Sequence, residues 1–335
     1  MENNYIKQFP EIMKGKKILY VHGFGSSGQS GTVTKIREML PEAEVFAPDL
    51  PLHPEEAMQL LRDTCKTFSP DLIIGTSMGG MYTEMLYGYD RILVNPAFQM
   101  GETMIKHGML GKNTFQNPRL DGVQEFIVTK ALVEEYKQIT AQCFSSVTEE
   151  ESKKRVYGLF GDEDPLVDTY PLFAKHYRNG IGFHGEHRLN DKVLIHSVIP
   201  VIQWIDDCQE GRERPIIYVT LDAIRDSHRN MRSSAMKAFR FLFEKYSLYI
   251  VDQASTTDPS LMAEAQWWIQ EMVNVPAWNH IIFTNHLNLL YGDYLISPTE
   301  DYGADEFMGT RIDFGSDTFK TWEEIIEFFG RLGGQ

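Results

Sequence analysis

Ser77 sits in Gly75-Thr76-Ser77-Met78-Gly79-Gly80, after the apolar run Leu72 to Ile74 and before the helical segment Met81 to Leu86. A strand that turns sharply into a helix, with serine at the apex, holds the hydroxyl up and exposed. Gly75 and Gly79 are wanted because such a turn leaves no room for a Cβ beside it. A serine hydroxyl is a weak nucleophile near neutral pH, so a histidine must take its proton and an acid must fix that histidine's tautomer. His187, on the loop Gly185-Glu186-His187-Arg188, is the expected base, with His184 and His196 as alternatives. Asp164, in Gly161-Asp162-Glu163-Asp164-Pro165, is the expected acid, with Asp162 and Asp168 as alternatives, Asp168 also being placed to cap the helix near Tyr170 to Tyr177. Backbone N–H groups should bind the alkoxide that forms on attack. The amide after the nucleophile, that of Met78, is one expected donor. The second is that of Phe24, on the His22-Gly23-Phe24-Gly25 loop.

These loops need a scaffold that brings strand ends together. Apolar strands are expected at Lys17–Val21, Glu44–Ala47, Leu72–Ile74, Arg91–Val94, Arg155–Phe160 and Gly180–His184. Helical segments separate them at Thr32–Leu40, Glu55–Phe68 and, last, Asp191–Asp207. Strands alternating with helices give a doubly wound, mainly parallel sheet, whose ligand sites lie at the carboxyl ends of the strands. Residues 101 to 150 are less regular, with a helical patch at Val123–Ile139, and are expected to cover the site. The chain order serine, acid, histidine is that of the α/β-hydrolases.

Composition narrows the function classes. The chain has 335 residues, 42% hydrophobic and 24% charged, enough for two domains with real cores. A net charge of −15 argues against the basic surfaces that nucleic acid or anionic membranes require. The three cysteines, Cys65, Cys143 and Cys208, show no metal-ligand spacing and no disulfide framework, which points to a reducing cytoplasm. Met1 to Lys17 is polar and unlike a signal peptide, and no apolar run reaches membrane-spanning length.

Leu19-Tyr20-Val21-His22-Gly23-Phe24, Pro48-Asp49-Leu50-Pro51, Ile74 to Gly80, Val94-Asn95-Pro96-Ala97, Gly161 to Asp164 and Gly185 to Arg188 together resemble the small bacterial esterases of the YqiA type, within the α/β-hydrolases. The resemblance covers roughly residues 15 to 208. It implies hydrolysis of small esters or thioesters through an acyl-enzyme, without metal or other cofactor, with the triad on Ser77, Asp164 and His187.

Beyond a polar linker at 209–215, the second half reads as another, smaller α/β unit. Strands are expected at Ile216–Val219, Leu248–Val251, His280–Thr284, Asp293–Ile296 and Arg311–Phe314. Helices are expected at Met231–Tyr246, Pro259–Val273 and Thr321–Leu332, the last ending at Gly333-Gly334. Trp267-Trp268 reads as core. Ile216 to Asp222, Gly292 to Ile296 and Gly309 to Ser316 resemble the 5'(3')-deoxyribonucleotidase branch of the haloacid-dehalogenase-like phosphatases, a Rossmann-like fold. In that family a carboxylate attacks phosphorus and binds magnesium. Here Thr220 stands in its place, two residues before Asp222. Leu287 stands where a charge-neutralising lysine is expected, and Ser297-Pro298 where an acidic pair is expected. A hydroxyl is a far poorer magnesium ligand than a carboxylate.

The expectation is therefore a cytoplasmic protein of two domains, residues 1–208 and 216–335. The first is a serine hydrolase acting on a small-molecule ester or thioester. The second is phosphatase-like in fold but inactive in phosphoryl transfer. A nucleotidase with unusual ligands and a non-enzymatic binding or scaffold protein are the alternatives. Oligomeric state is not legible in the sequence.

Overall fold

Alternating runs of β-branched and aliphatic residues build the strands at the centre of each half. The computed structural model describes residues 7–273 and 279–332. These divide into two compact units, Met1–Glu210 and Gly211–Gln335.

In the first unit the strands are β1 Lys17–Val21, β2 Glu44–Phe46, β3 Leu72–Thr76, β4 Arg91–Val94, a hairpin of β5 Gly111–Thr114 and β6 Glu125–Val128, β7 Val156–Gly161 and β8 Asn179–Phe183. Six of them form one parallel sheet in the order β2-β1-β3-β4-β7-β8. The central strands β1, β3 and β4 are buried almost throughout, as strands covered on both faces must be. The helices that cover them include α1 Gly31–Met39, α2 Pro54–Phe68, α3 Met78–Glu84, α4 Met100–Lys106 and α5 Lys130–Thr140. In α2, Ala57, Met58, Leu61 and Cys65 recur at helical spacing on the face turned to the core.

Several expectations need correction. The helical patch expected at Val123–Ile139 opens with a strand and is helical only from Lys130. In β6, Phe126 and Val128 are buried while Glu125 and Ile127 are exposed, a period of two that suits a strand. Thr129 then starts α5 by accepting the amide of Leu132. The helix expected from Met231 starts only at Ala235, because Met231 pairs with Arg225 in an isolated bridge and Ser234 takes a left-handed conformation. The expected linker begins too early. The last helix of the first unit, Ile199–Glu210, runs through residues 209 and 210, where Gln209 bonds Asp71 and Asp90 and Glu210 pairs with Lys16.

The second unit carries β9 Ile216–Thr220, β10 Ser247–Asp252, β11 Ile281–Phe283, β12 Tyr294–Ser297 and β13 Thr310–Asp313. They form a parallel sheet in the order β11-β10-β9-β12-β13. Trp268 is buried, with its indole N–H donating to the Arg229 carbonyl, whereas Trp267 is exposed, so only one of the pair is core. The last helix spans Trp322–Leu332, and Glu324 turns back to accept the Thr321 amide at its start. Gly333-Gly334 lie outside the described residues. Among the described residues no helix is long and apolar enough to cross a membrane.

Candidate active site

Ser77 stands between β3 and α3 with φ 56° and ψ −121°, a backbone state that costs a non-glycine residue about 1–3 kcal/mol and must be held by its surroundings. Several contacts hold it. Its amide donates to the Val94 carbonyl at 2.9 Å, and its carbonyl accepts the Ala97 amide at 3.0 Å. A Cβ at Gly75 would strike Thr83 and the Gly79 carbonyl, and one at Gly79 would strike the Val21 carbonyl. Close backbone approach, not positive φ, is thus what requires glycine beside the serine.

The expected base and acid reach Ser77 in sequence. His187 Nε2 lies 2.9 Å from Ser77 Oγ, and His187 Nδ1 lies 2.7 Å from Asp164 Oδ2. The Asp164 side chain is nearly buried, 2% exposed. Its other oxygen accepts the amides of Leu166 at 2.8 Å and Val167 at 3.1 Å. Burial alone would raise its pKa. The hydrogen bond to His187 and the two amides outweigh burial and hold it below the usual carboxylate range. Carboxylate, imidazole and hydroxyl therefore form one relay that can draw a proton from Ser77. The alternatives do not join it. His184 is at the surface, paired with Asp162, and Asp168 is exposed. Thr169, not Asp168, occupies the N-cap position of the short helix Tyr170–Phe173. His196 lies within the helical stretch Leu194–Val198.

Around the serine, the amide of Met78 opens α3 and so has no intrahelical acceptor. The first loop comes close from β1: a Cβ on Gly23 would lie 3.3 Å from the Ser77 Cβ. Phe24, next in the chain, is wedged edge-on between Phe126 and Tyr136, which fixes the backbone beside Ser77. His22 supports that loop from beneath. It is 2% exposed, its Nε2 accepts the Leu50 amide at 3.1 Å, and its Nδ1 donates to the Gly23 carbonyl at 2.8 Å.

Burial lowers the His22 pKa from 6.5 to about 4 against the smaller raising effects of the Gly23 carbonyl and Asp49. The unfolded chain binds a proton that the folded chain refuses between these values, so stability is fully present above pH 6.5 and falls as the pH drops towards 4. A depression of this size corresponds to about 3 kcal/mol. Urea titrations at pH 7 and 4.5 should show this loss, and His22→Asn should flatten it. An equal pH slope in that variant would assign the loss to other groups.

Two further positioning groups lie in motifs named above, and their role is visible only in the fold. Asn95, buried and with φ 44°, accepts the Gly161 amide at 2.8 Å through its side-chain oxygen. Its side-chain nitrogen donates to the Glu186 and His187 carbonyls at 3.1 and 3.3 Å. One amide thus clamps the acid loop to the histidine loop. Asp49 accepts the amides of Gly28 and Leu120 at 2.8 and 2.7 Å, joining the first loop to the covering segment.

Ser77 and His187 open into a cleft of about 540 Å³, walled on its apolar side by Phe24, Met100, Met109, Phe126, Leu166 and Val167. The segment 101–150 thus contributes Met109 and Phe126, as its expected covering role requires. A separate hollow of about 430 Å³, around Arg62, Cys65 and Lys66, includes no member of the relay, and burial pushes its cysteine up to about 11.

At the carboxyl ends of the second sheet, the Thr220 hydroxyl donates to the Ile296 carbonyl at 3.5 Å. Ser297 is fully buried and its hydroxyl bonds the Thr299 carbonyl at 3.1 Å. Leu287 packs in an apolar cluster with Tyr218, Leu295 and Phe307. Asp222 is exposed. Asp252, at the end of β10, is raised by burial, with Asp222 adding to the effect. This donor set, two engaged hydroxyls and a leucine beside two carboxylates, does not fit the magnesium site that the resemblance to those phosphatases implies.

The parallel sheet with Ser77 at the β3–α3 turn and the acid and histidine after β7 and β8 defines the first unit as an α/β-hydrolase fold. The chain belongs to the uncharacterised protein family UPF0227, which matches residues 17–191. It is also similar to a Vibrio phage KVP40 protein named "Putative 5'(3')-deoxyribonucleotidase", 29% identical over 127 residues, covering 37% of this chain and 70% of that protein. Among solved structures it is similar to a monoglyceride lipase from Saccharomyces cerevisiae, at 14% identity and TM-score 0.42, covering 60% of this chain and 89% of that one. It is similar too to Est1E from Butyrivibrio proteoclasticus, at 15% identity and TM-score 0.40, covering 63% and 90%.

Proposed function

We propose that the first unit is a serine hydrolase that cleaves a small carboxylic ester or thioester through an acyl-enzyme on Ser77. The observation that carries the reading is the unbroken relay Ser77 Oγ, His187, Asp164, at 2.9 and 2.7 Å, opening into a half-apolar cleft. Ser77 Oγ attacks the acyl carbon while His187 Nε2 takes its proton, and Asp164 stabilises the imidazolium that forms. The amides of Met78 and Phe24 bind the oxyanion. As the tetrahedral intermediate collapses, the alcohol or thiol leaves with the proton from His187. A water, activated by the same imidazole, then releases the acid. No metal or cofactor enters these steps.

The second unit, in this reading, is a phosphatase-like domain that has lost phosphoryl transfer and serves binding or structure. Labelling the pure protein with a fluorophosphonate probe tests the hydrolase reading. The expected result is an adduct on the Ser77 peptide that disappears in His187→Ala. Failure to label Ser77 in the wild-type protein would count against an assembled triad and favour a binding or scaffold role.

The similarity to the phage protein favours one competing reading, an active nucleotidase in the second unit. Magnesium-dependent release of phosphate from deoxynucleotides, lost in Asp222→Asn, would establish it.

A further inference from the structure

In a chain with 47 acidic and 32 basic residues, the wall of the Ser77 cleft is reversed in charge. Among the described residues, no Asp or Glu lines it, whereas Lys35 and Arg188 do. Hydroxyl and amide groups of Ser26, Thr32, Asn113 and Asn117 share that wall. Arg188 directly follows the base, and its guanidinium donates to the neutral Gln116 side-chain oxygen at 3.1 Å, a contact that steadies it without cancelling its charge. Lys35 is paired with Asp191 at the surface, so its charge is partly compensated and Arg188 is the stronger of the two. Of the acids near the site, Asp164 faces His187, Asp49 is turned to two backbone amides and Asp191 pairs with Lys35. With Lys35 offset by Asp191, the uncompensated guanidinium of Arg188 leaves the wall attractive to an anion.

We infer that the substrate of this site is an ester or thioester that carries an anionic group, a carboxylate or a phosphate, beyond the scissile bond, held at the wall formed by Arg188 and Lys35. This rests on the hydrolase reading above. The apolar side of the cleft takes the neutral part of the substrate, and the cationic wall fixes which way round it enters. An exposed cation acts at long range as well as on contact, so the preference should weaken with salt.

The test compares two esters of one acyl chain and one leaving group, differing only in a terminal carboxylate against a methyl ester, with a phosphate-bearing analogue as a third arm. In the wild-type protein at low salt, kcat/KM for an anionic ester should exceed that for the neutral one by about tenfold or more, and the ratio should fall as salt is raised. Whichever anion gives the larger ratio identifies the source. In Arg188→Gln the ratio should collapse towards one, and in Lys35→Gln it should fall less. A wild-type ratio at or below one, or a ratio unchanged in Arg188→Gln, overturns the anionic subsite while leaving the hydrolase intact. Turnover of none of the esters overturns the hydrolase reading and the subsite with it.

Discussion

Asp164→Asn is expected to lower ester turnover by about 10⁴-fold while the first unit stays folded. The size follows from how the aspartate is held. Its Oδ1 accepts the amides of Leu166 and Val167, so an asparagine keeps its carbonyl oxygen there to satisfy both. That turns its NH2 group towards His187 Nδ1, which lies 2.7 Å from the present Oδ2. Nδ1 must then be an acceptor, the proton moves to Nε2, and Nε2 can no longer take the proton of Ser77. The imidazolium would also lose its counter-charge. Two effects fall on one step while the backbone contacts survive. Steady-state rates on an activated ester, beside circular dichroism to confirm folding, decide it. A loss of less than tenfold would mean that Asp164 is not the acid of the relay, and attention would pass to Asp162.

How much of this was legible depends on the range of the forces involved. The strands β1, β3, β4, β7 and β8 were readable because short apolar runs ending in glycine or proline carry their own signal. Ser77, Asp164 and His187 could be picked out because each follows such a run, and the structure brings them within hydrogen-bonding distance. What could not be read depends on partners distant in sequence. Asn95 is an ordinary loop residue until β7 and β8 place Gly161, Glu186 and His187 around it. Glu125 to Val128 is short enough to fit either period, and pairing with β5 and burial of Phe126 beneath Phe24 select the strand. The start of the helix at Ala235 was hidden for a similar reason, a bridge between Arg225 and Met231 that no local propensity announces.

The same dependence on distant partners sets the largest expected loss of stability. Arg91 opens β4 and is wholly buried, as is Glu84 in α3, and Glu151 is nearly so. The guanidinium pairs with Glu151 and donates to the carbonyls of Glu84 and Thr83. The carboxylates serve other groups as well. Glu84 accepts the Tyr177 hydroxyl at 2.6 Å and the Phe144 amide at 3.1 Å, and Glu151 accepts the Gly88 amide at 2.6 Å. Burial pushes the Glu84 pKa up, against the opposing pull of Tyr177, the Phe144 amide and Arg91. Arg91→Ala leaves two buried carboxylates without their cation and two helix carbonyls without a donor, and should cost about 3–5 kcal/mol. For a unit of this size that lowers Tm by on the order of 10 °C. Arg91→Lys should recover part of it, since an ammonium keeps the charge but cannot fork to Glu151 and the carbonyls together. Apolar replacement of both acids is no remedy here, because Tyr177, Phe144 and Gly88 would each lose an acceptor. Trp204 is the one tryptophan in residues 1–210, so calorimetry combined with hydrogen exchange across that range reports the loss better than bulk fluorescence. The network ties α3 to β4, and these two elements place Ser77 and Asn95, so activity should be lost at a lower temperature in step with the first unit's unfolding. If Arg91→Ala shifted that transition by no more than a degree or two, the pair would be a bystander and the α3–β4 junction would rest on its apolar contacts alone.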